Sequence, residues 1–526
     1  MKINKIKQNI LEAFEENPEQ SISELVLKTS IAKRTAQRYV NELMNENRLE
    51  AFGKGRARHY KRVYRNEEAF SNLALLRENE HIGTLIFGNG SYSFAYEKGF
   101  EDTLYGISST DNNVNQLYPL FENLIPEHHR RDKLLHGTCE LGAVLSELKN
   151  AHGNFQFIPL HELFKVKSTA EKRPSWIEIK HKILGENIYP NLIDAPLQIE
   201  DAILDDISNT EHSNLSGYQH KIDVDFINGA IVETKMNAGY ILKPLNRTLL
   251  NYFERKEEKQ KNKYPYLALN EHLFMTFAKN ELKLDVPMSG ILLAKHGDFH
   301  YLVKRYDRYE NYAYGQFDIA QLLTMPSDKK YNTTTEEVLK IFAKKVSMQQ
   351  AREDMLKFQI YSMLIKHSDF HAKNMGVMEV GRKKFIGTPL YDVISVGIYK
   401  GTAGDLGLPL SQKNRKTKKY DFEDMIFISK LLEIPITKAK EIIKKTIETY
   451  LDKFPEYIEK TKLFEQAYEL KMQNIRRGTK LFSDRLQSLY DKKLIELKKL
   501  GILQALGIIE KYGGILQSQR NILEIK

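Results

Sequence analysis

The apolar positions of the first sixty residues recur at helical spacing and then change period. Ile6, Ile10, Leu11 and Phe14 fall three and four apart, which predicts a helix over residues 4–17. Ser21 followed by Glu24 is a reciprocal capping pair and predicts the start of a second helix. A third follows Ser30, with Ala36, Val40 and Leu43 inward and Arg34, Thr35, Gln37, Arg38 and Asn41 outward. The segment LEAFGKGRARHYKRVY then reads as two short strands about a turn at Gly53 and Gly55, bearing Arg56, Arg58, Lys61 and Arg62. Residues 65 to about 80 read as a linker helix. Beyond it the pattern alternates: Gly88, Asn89 and Gly90 mark a hairpin turn, and Tyr92, Phe94 and Tyr96 fall on one face.

Farther along, EDMLKFQIYSMLIK predicts a helix with Met355, Phe358 and Leu364 inward. Residues 377–380 and 383–386 predict two strands about a turn at Gly381 and Arg382. The run FEDMIFISKLLEIPITKAKEIIKKTIETYLDKF reads as helix, break at Pro435, helix, and a helical tail follows residue 485. There is no internal repeat and no low-complexity tract.

Composition narrows the class. A chain of 526 residues, 41% hydrophobic and 28% charged, is long enough for several globular domains and excludes the disordered, collagen-like and disulfide-scaffold classes. Cys139 is the only cysteine, so no internal disulfide or multi-cysteine zinc site can form, and a cytoplasmic location is expected. The first apolar stripe is interrupted by Glu12, Glu15 and Glu16, and no later run of 18 uncharged apolar residues could span a bilayer, so neither a signal peptide nor a membrane role is expected.

The net charge of +10 is unevenly spread. Residues 33–62 hold nine basic side chains against three acids, concentrated on the third helix and the hairpin. Three helices and a basic hairpin resemble a winged helix-turn-helix, whose last helix enters the major groove while the wing contacts phosphates. The expected DNA-binding set is therefore Arg34, Thr35, Gln37, Arg38, Arg56, Arg58, Lys61 and Arg62, with long cations for phosphates and Gln or Arg for base edges. A winged helix used for protein contact is the alternative.

The richest chemistry lies in HSDFHAKNMGVMEVGRKKFIGTPLYDVIS, residues 367–395. Asp369 and Asn374 are five apart on the loop after a helix, the spacing protein kinases use between catalytic base and magnesium-binding Asn. The hairpin that follows is expected to return Asp392 beside Asn374, giving hard oxygen donors for magnesium and a carboxylate to take an acceptor proton. Lys373 supplies a positive charge for the moving phosphoryl group. His371 reads as a packed loop residue, because no second His or Cys sits at zinc-ligand spacing. Upstream, SNLSGYQHKIDVDF places Ser216, Gly217, Gln219 and Lys221 on a loop before a strand, and Lys243 lies in an apolar strand. A glycine loop followed by a strand lysine is the layout that covers ATP and grips its phosphates. Glu271 is a candidate partner for Lys243, with capping or solvation as the alternative. The five cations of KNRKTKK, residues 413–419, read as a solvated turn or a substrate contact.

In order along the chain, IGTLIFGNGSYSFAYEKGF, PLFENLIPEHHRRDKLL, NLSGYQHKI, YILKP, ALNEHLFMTFAKNELKLDVP, YLVKRYDR, DKKYNTTTEEVLKIF, HSDFHAKN and PLYDVIS resemble the HipA family of bacterial serine/threonine kinase toxins, over roughly residues 80–484. The resemblance implies a two-lobed protein-kinase-like fold; with the amino-terminal winged-helix domain read above, the expected class is α+β with a mainly α-helical carboxyl-terminal lobe. It divides the chain into a winged helix-turn-helix (1–64), a linker with a β subdomain (65–165), a small lobe with glycine loop and ATP lysine (166–312), a helical large lobe with catalytic loop (313–484) and a helical tail (485–526).

It further implies ATP with Mg2+ as cofactors, Asp369 as catalytic base with Lys373 beside it, and Asn374 and Asp392 as metal ligands. Lys243 and the loop of Ser216, Gly217, Gln219 and Lys221 would contact phosphate. Family members often carry two serines in that loop; Asn214 stands at the earlier position, leaving Ser216, with Ser213 as a second choice, as the autophosphorylation candidate. The implied partners are a protein substrate, in the family an aminoacyl-tRNA synthetase, and an antitoxin; the winged helix adds double-stranded DNA, bound by a homodimer because a single module makes few contacts. Against the antitoxin stands the DNA-binding module this chain carries itself. A small-molecule phosphotransferase and a DNA-binding regulator with a nucleotide-sensing lobe are the competing readings.

Overall fold

A computed structural model of the chain describes residues 6–7, 9–11, 13–14, 19–45, 48–53, 58–62, 71–88, 90, 91–100, 102–110, 112–126, 141–166, 173–205, 220–245, 265–294, 298–399, 403–468 and 480–512. It divides into two compact units, Met1–Ala151 with Phe155–Glu171, and His152–Asn154 with Lys172–Lys526.

In the first unit, the described residues between 6 and 14 are helical and are followed by α1 (Ile22–Thr29) and α2 (Lys33–Asn45). The expected cap is present: the Glu24 N–H donates to Ser21 Oγ at 3.3 Å, and the Ser21 N–H donates to Glu24 Oε2 at 2.7 Å. Ser30, left-handed at φ 55°, ends α1 and turns the chain into α2. Ile10, Leu11, Phe14, Leu25, Tyr39, Val40 and Leu43 form one core with Leu49 and Tyr60 from a small sheet. That sheet, in the order β1 (Glu19–Gln20), β3 (His59–Arg62), β2 (Leu49–Phe52), is the wing. The apolar stripe of α2 is spent on this core, which leaves its basic face outward.

A second, antiparallel sheet of this unit runs β6 (Ser91–Tyr96), β5 (Glu80–Gly88), β4 (Ser71–Arg77), β7 (Phe155–Pro159). The 88–90 hairpin and its alternation are therefore observed, with Tyr92 and Phe94 buried. The linker helix over residues 65 to about 80 is not: 71–77 is a strand, and 63–70 lie outside the described residues. The physical reason is position in the sheet. Paired on both edges by β5 and β7, β4 buries Leu73, Ala74, Leu75 and Leu76 in succession, so it shows no alternation to distinguish it from a helix.

The second unit carries a six-stranded sheet in the order β12 (Ser289–Leu293), β13 (Phe299–Lys304), β11 (Tyr240–Lys243), β9 (Ile222–Ile227), β10 (Ala230–Glu233), β8 (Leu197–Gln198). Its helix α3 (Leu267–Asn280) is buried continuously from Ala268 to Ala278, so Asn270, Glu271, His272 and Thr276 are interior polar groups. Each finds partners, as burial requires: the Asn191 N–H donates to His272 Nε2 at 3.0 Å, and the Asn270 side chain exchanges two hydrogen bonds with the Ser395 backbone at 2.9 and 3.0 Å.

The remainder is mainly helical: α4 (Thr335–Lys345), α5 (Gln349–Ile365), α6 (Phe422–Leu431), α7 (Ile436–Ala467) and α8 (Phe482–Lys499). Interlocked aromatics join them to α3. Phe277 stacks on Tyr361 of α5 at 5.6 Å and meets Phe454 and Tyr457 of α7 edge-on. Two small sheets complete the unit, the hairpin β14 (Arg308–Tyr309) with β15 (Tyr312–Ala313), and the ladder β16 (Gly315–Asp318), β17 (Gly376–Gly381), β18 (Lys384–Gly387). The expected 377–386 hairpin is the second half of that ladder, turning at Arg382 and Lys383.

Candidate active site

Three charged side chains from distant parts of the second unit meet at one point. Lys243, the last residue of β11, donates from Nζ to Glu271 of α3 at 2.7 and 2.9 Å, and also to Asp392. Lys243 and Glu271 each leave only 4% of the side chain exposed, whereas Asp392 leaves 37% and so has an oxygen open to an incoming group. Burial alone would lower the Lys243 pKa, but Asp392 and Glu271 outweigh it and hold the ammonium charged. Burial pushes Glu271 up to about 7 against the pull of Lys243. Burial would also raise Asp392, but Lys243 and Lys221 keep its carboxyl well below the usual range. Lys221, half-buried, thus lies within electrostatic reach of both carboxylates. Asp392 itself sits in the left-handed region at φ 54°, a strained conformation for a non-glycine residue and one that active sites retain.

The second cluster is the loop after α5. Lys366, left-handed at φ 55°, ends that helix, and Phe370 packs back on Phe358 at 5.8 Å. This anchoring leaves Asp369 exposed at the tip while His371, Lys373 and Asn374 turn inward. Tyr331 donates its hydroxyl to Asp369 Oδ1 at 2.6 Å and sets its ring edge-on to His371, centroids 4.9 Å apart. His371 is the packed loop residue the sequence indicated. The Lys373 ammonium donates to Ser327 Oγ at 2.8 Å, and its carbonyl accepts from the Tyr391 hydroxyl at 2.9 Å, which ties the loop to the residue preceding Asp392. A further segment, 404–410, lies against the loop: a side chain at Gly407 would come within 2.7 Å of the Ser368 carbonyl oxygen and would collide with that of Phe370.

Of the expected site residues, Lys243 and Asp392 are thus in contact, Lys221 is near them, and Asp369, Lys373 and Asn374 share the loop. Ser213, Asn214, Ser216, Gly217 and Gln219 lie outside the described residues. The sequence reading offered pairing with Lys243 for Glu271, with capping or solvation as the alternative; its place on a helix buried all round is what makes it a partner for the lysine. It missed Tyr331, which stands in the polar run DKKYNTTT with no pattern that marks its role, and a buried charge cluster in YLVKRYDR. In that cluster Arg305 binds Asp307 through two bonds of 3.0 and 2.8 Å, and Arg308 and the Gly153 N–H complete the carboxylate at 2.7 and 3.1 Å.

In the first unit, Lys33, Arg34, Gln37, Arg38 and Asn41 line one open concavity on α2. Arg34 and Arg38 are exposed, as are Arg58 and Lys61 of the wing, while Thr35 and Gln37 are half-buried, the Gln37 amide donating to the Tyr60 hydroxyl at 3.3 Å. Arg56 lies outside the described residues, and Arg62 is described only as part of β3.

Residues 213–454 match the family of HipA-like C-terminal domains, and residues 3–50 match winged helix-turn-helix DNA-binding domains. The chain thus carries a HipA-like C-terminal domain and a winged helix-turn-helix domain. Its fold agrees: a chain from the complex of Shewanella oneidensis HipA, HipB and operator DNA superimposes with a TM-score of 0.52 at 17% identity, covering 81% of this chain and 97% of that one. In sequence, the serine/threonine-protein kinase toxin HipA of Shewanella oneidensis is 23% identical over 397 residues, which span 67% of this chain and 82% of that protein. Among the described residues no helix is long and apolar enough to cross a membrane, and no group of three or more His, Cys, Asp or Glu side chains forms a metal cluster. Asp392 and Asn374 are oxygen donors of the kind magnesium takes, one partly exposed carboxylate and one buried amide.

Proposed function

We propose that this HipA-like chain is an ATP- and magnesium-dependent serine/threonine protein kinase acting in the cytoplasm as a growth-arresting toxin, and that its winged helix binds double-stranded DNA. The observation that carries the kinase reading is Lys243 held between Glu271 and Asp392. In protein kinases a strand lysine paired with a helix glutamate grips the nucleotide phosphates, and a nearby aspartate holds the metal.

On this reading Lys243 fixes the phosphates while Glu271 keeps its ammonium in place. Asp392, with Asn374, would hold magnesium, which neutralises charge on the transferring group. Asp369, exposed at the loop tip, accepts the proton of a serine or threonine hydroxyl as that oxygen bonds to phosphorus and the bond to the leaving diphosphate breaks. Lys373 adds positive charge from beneath the loop. The charged face of α2 and the wing suits a duplex, and a dimer reading two half-sites would supply the affinity that one module lacks.

Incubation with labelled ATP and a cell lysate, with and without a magnesium chelator, tests the reading. Chelator-sensitive label on serine or threonine of protein supports it. Label confined to small molecules would instead indicate a phosphotransferase for such substrates, and nucleotide binding without any transfer a nucleotide-sensing regulator.

A further inference from the structure

We infer that Tyr331 is a positioning residue for phosphoryl transfer: its hydroxyl holds Asp369 in the orientation from which that carboxylate takes the acceptor proton. The inference rests on the kinase reading above and adds to it a residue outside the loop that carries the base.

The geometry is specific. Asp369 stands exposed at the tip of its loop, and a carboxylate there would sample several rotamers unless one oxygen were tied down. Tyr331 does this, donating to Oδ1 at 2.6 Å, the short length of a hydrogen bond to a charged oxygen. Tyr331 is itself held from three sides. Its ring stands edge-on to His371, with the planes at 85°. On its amino-terminal side the short 3-10 helix Ser327–Lys329 receives the Lys373 ammonium on Ser327 Oγ at 2.8 Å, and the Ala372 N–H donates to the Lys330 carbonyl at 3.3 Å. On its carboxyl-terminal side the chain enters α4 through a capping box, where Glu337 accepts from Thr333 Oγ1 at 2.7 Å and from the Thr334 N–H at 3.0 Å. Residues 327–337 therefore form a brace, stitched to the catalytic loop at Ala372 and Lys373 and fixed at its far end by a helix cap. Tyr331 is the point at which this brace reaches the reacting carboxylate, and a base held to its productive geometry reacts faster than one that must be oriented in each turnover.

The test compares purified full-length wild type with Tyr331→Phe and Tyr331→Ala, with Asp369→Asn as reference, in steady-state transfer from labelled ATP to a protein acceptor found in lysate. Tyr331→Phe keeps the ring against His371 and removes only the hydroxyl. The expected result is a kcat lower by about tenfold, with KM for ATP and melting temperature unchanged. Tyr331→Ala should lose at least as much kcat and also some thermal stability. A Tyr331→Phe enzyme as active as wild type overturns the inference. So does a more active one, which would make the hydroxyl an obstruction to the acceptor, and so does equal damage to KM and melting temperature, which would make the residue merely structural. If wild type transfers no phosphate, or Asp369→Asn matches it, the kinase reading itself fails and this role fails with it.

Discussion

Replacing Lys243 by methionine would leave Glu271 buried without its cation, and the size of the effect follows from the geometry. The Glu271 side chain is 4% exposed and both its oxygens accept from the lysine, at 2.7 and 2.9 Å. Breaking one side of a buried ion pair costs about 3–5 kcal/mol. Burial already holds Glu271 up at about 7 with the lysine in place, so the abandoned carboxyl recovers part of that cost by taking up a proton, and Lys243→Met should destabilise the second unit by about 3 kcal/mol, the lower end of that range. Asp392 loses the same cation, but its side chain is partly exposed and Lys221 stays within reach, so water and that lysine offset part of its loss. The chain's single tryptophan, Trp176, is buried against Tyr314 in this unit, so urea unfolding followed by its fluorescence reports the unit directly. Adding Glu271→Gln to Lys243→Met removes the stranded charge and should restore most of the loss. A double variant no more stable than the single one would refute the reasoning, because the penalty would then lie in lost packing and not in an unpaired carboxylate.

Acid should weaken the same unit: burial lowers His272 to about 3 and His152 and His367 to about 4, so at these groups the unfolded chain binds more protons between those values and 6.5. Stability therefore rises with pH across that window and is lost as pH falls from 6.5 toward 4; Glu271, raised to about 7, and Asp298, raised to about 6, work the other way, two groups against three, and a urea midpoint that holds or climbs from pH 7 to 5 would contradict the assignment. Gly407→Ala should abolish phosphoryl transfer and destabilise by about 1–3 kcal/mol, since the added carbon strikes the carbonyls of the Asp369 loop; transfer rates near wild type would show that the loop tolerates displacement. In DNA-binding titrations, Arg58→Ala and Lys61→Ala should each reduce the salt slope of log K by about 0.9, whereas Gln37→Ala and Arg38→Ala should relax sequence preference; salt-independent binding would leave the module a protein-contact domain.

Much of this was legible in the sequence, for identifiable reasons. The winged helix announces itself because each helix spends one stripe on the core, so Ile10, Phe14, Val40 and Leu43 recur at helical spacing while the cations collect opposite. Asp369 and Asn374 were legible because a loop fixes their separation along the chain. The Lys243, Glu271 and Asp392 cluster was harder, since 121 residues separate Glu271 from Asp392 and tertiary contacts, among them the Asn270 bonds to the Ser395 backbone, unite them. β4 was misread because a central strand buries successive residues, and four apolar positions in a row carry no period. Tyr331 was missed because a tyrosine in a polar run has no pattern that points to a carboxylate 38 residues away.

The central claim is that Asp369 acts as the base of a phosphoryl-transfer site, and the most direct measurement is the transfer rate of Asp369→Asn against wild type at saturating magnesium and ATP, with ATP affinity measured alongside. The account predicts a fall of about a hundredfold or more with affinity nearly unchanged, because the amide can neither accept the proton nor orient the acceptor. A transfer rate within a few-fold of wild type would contradict it.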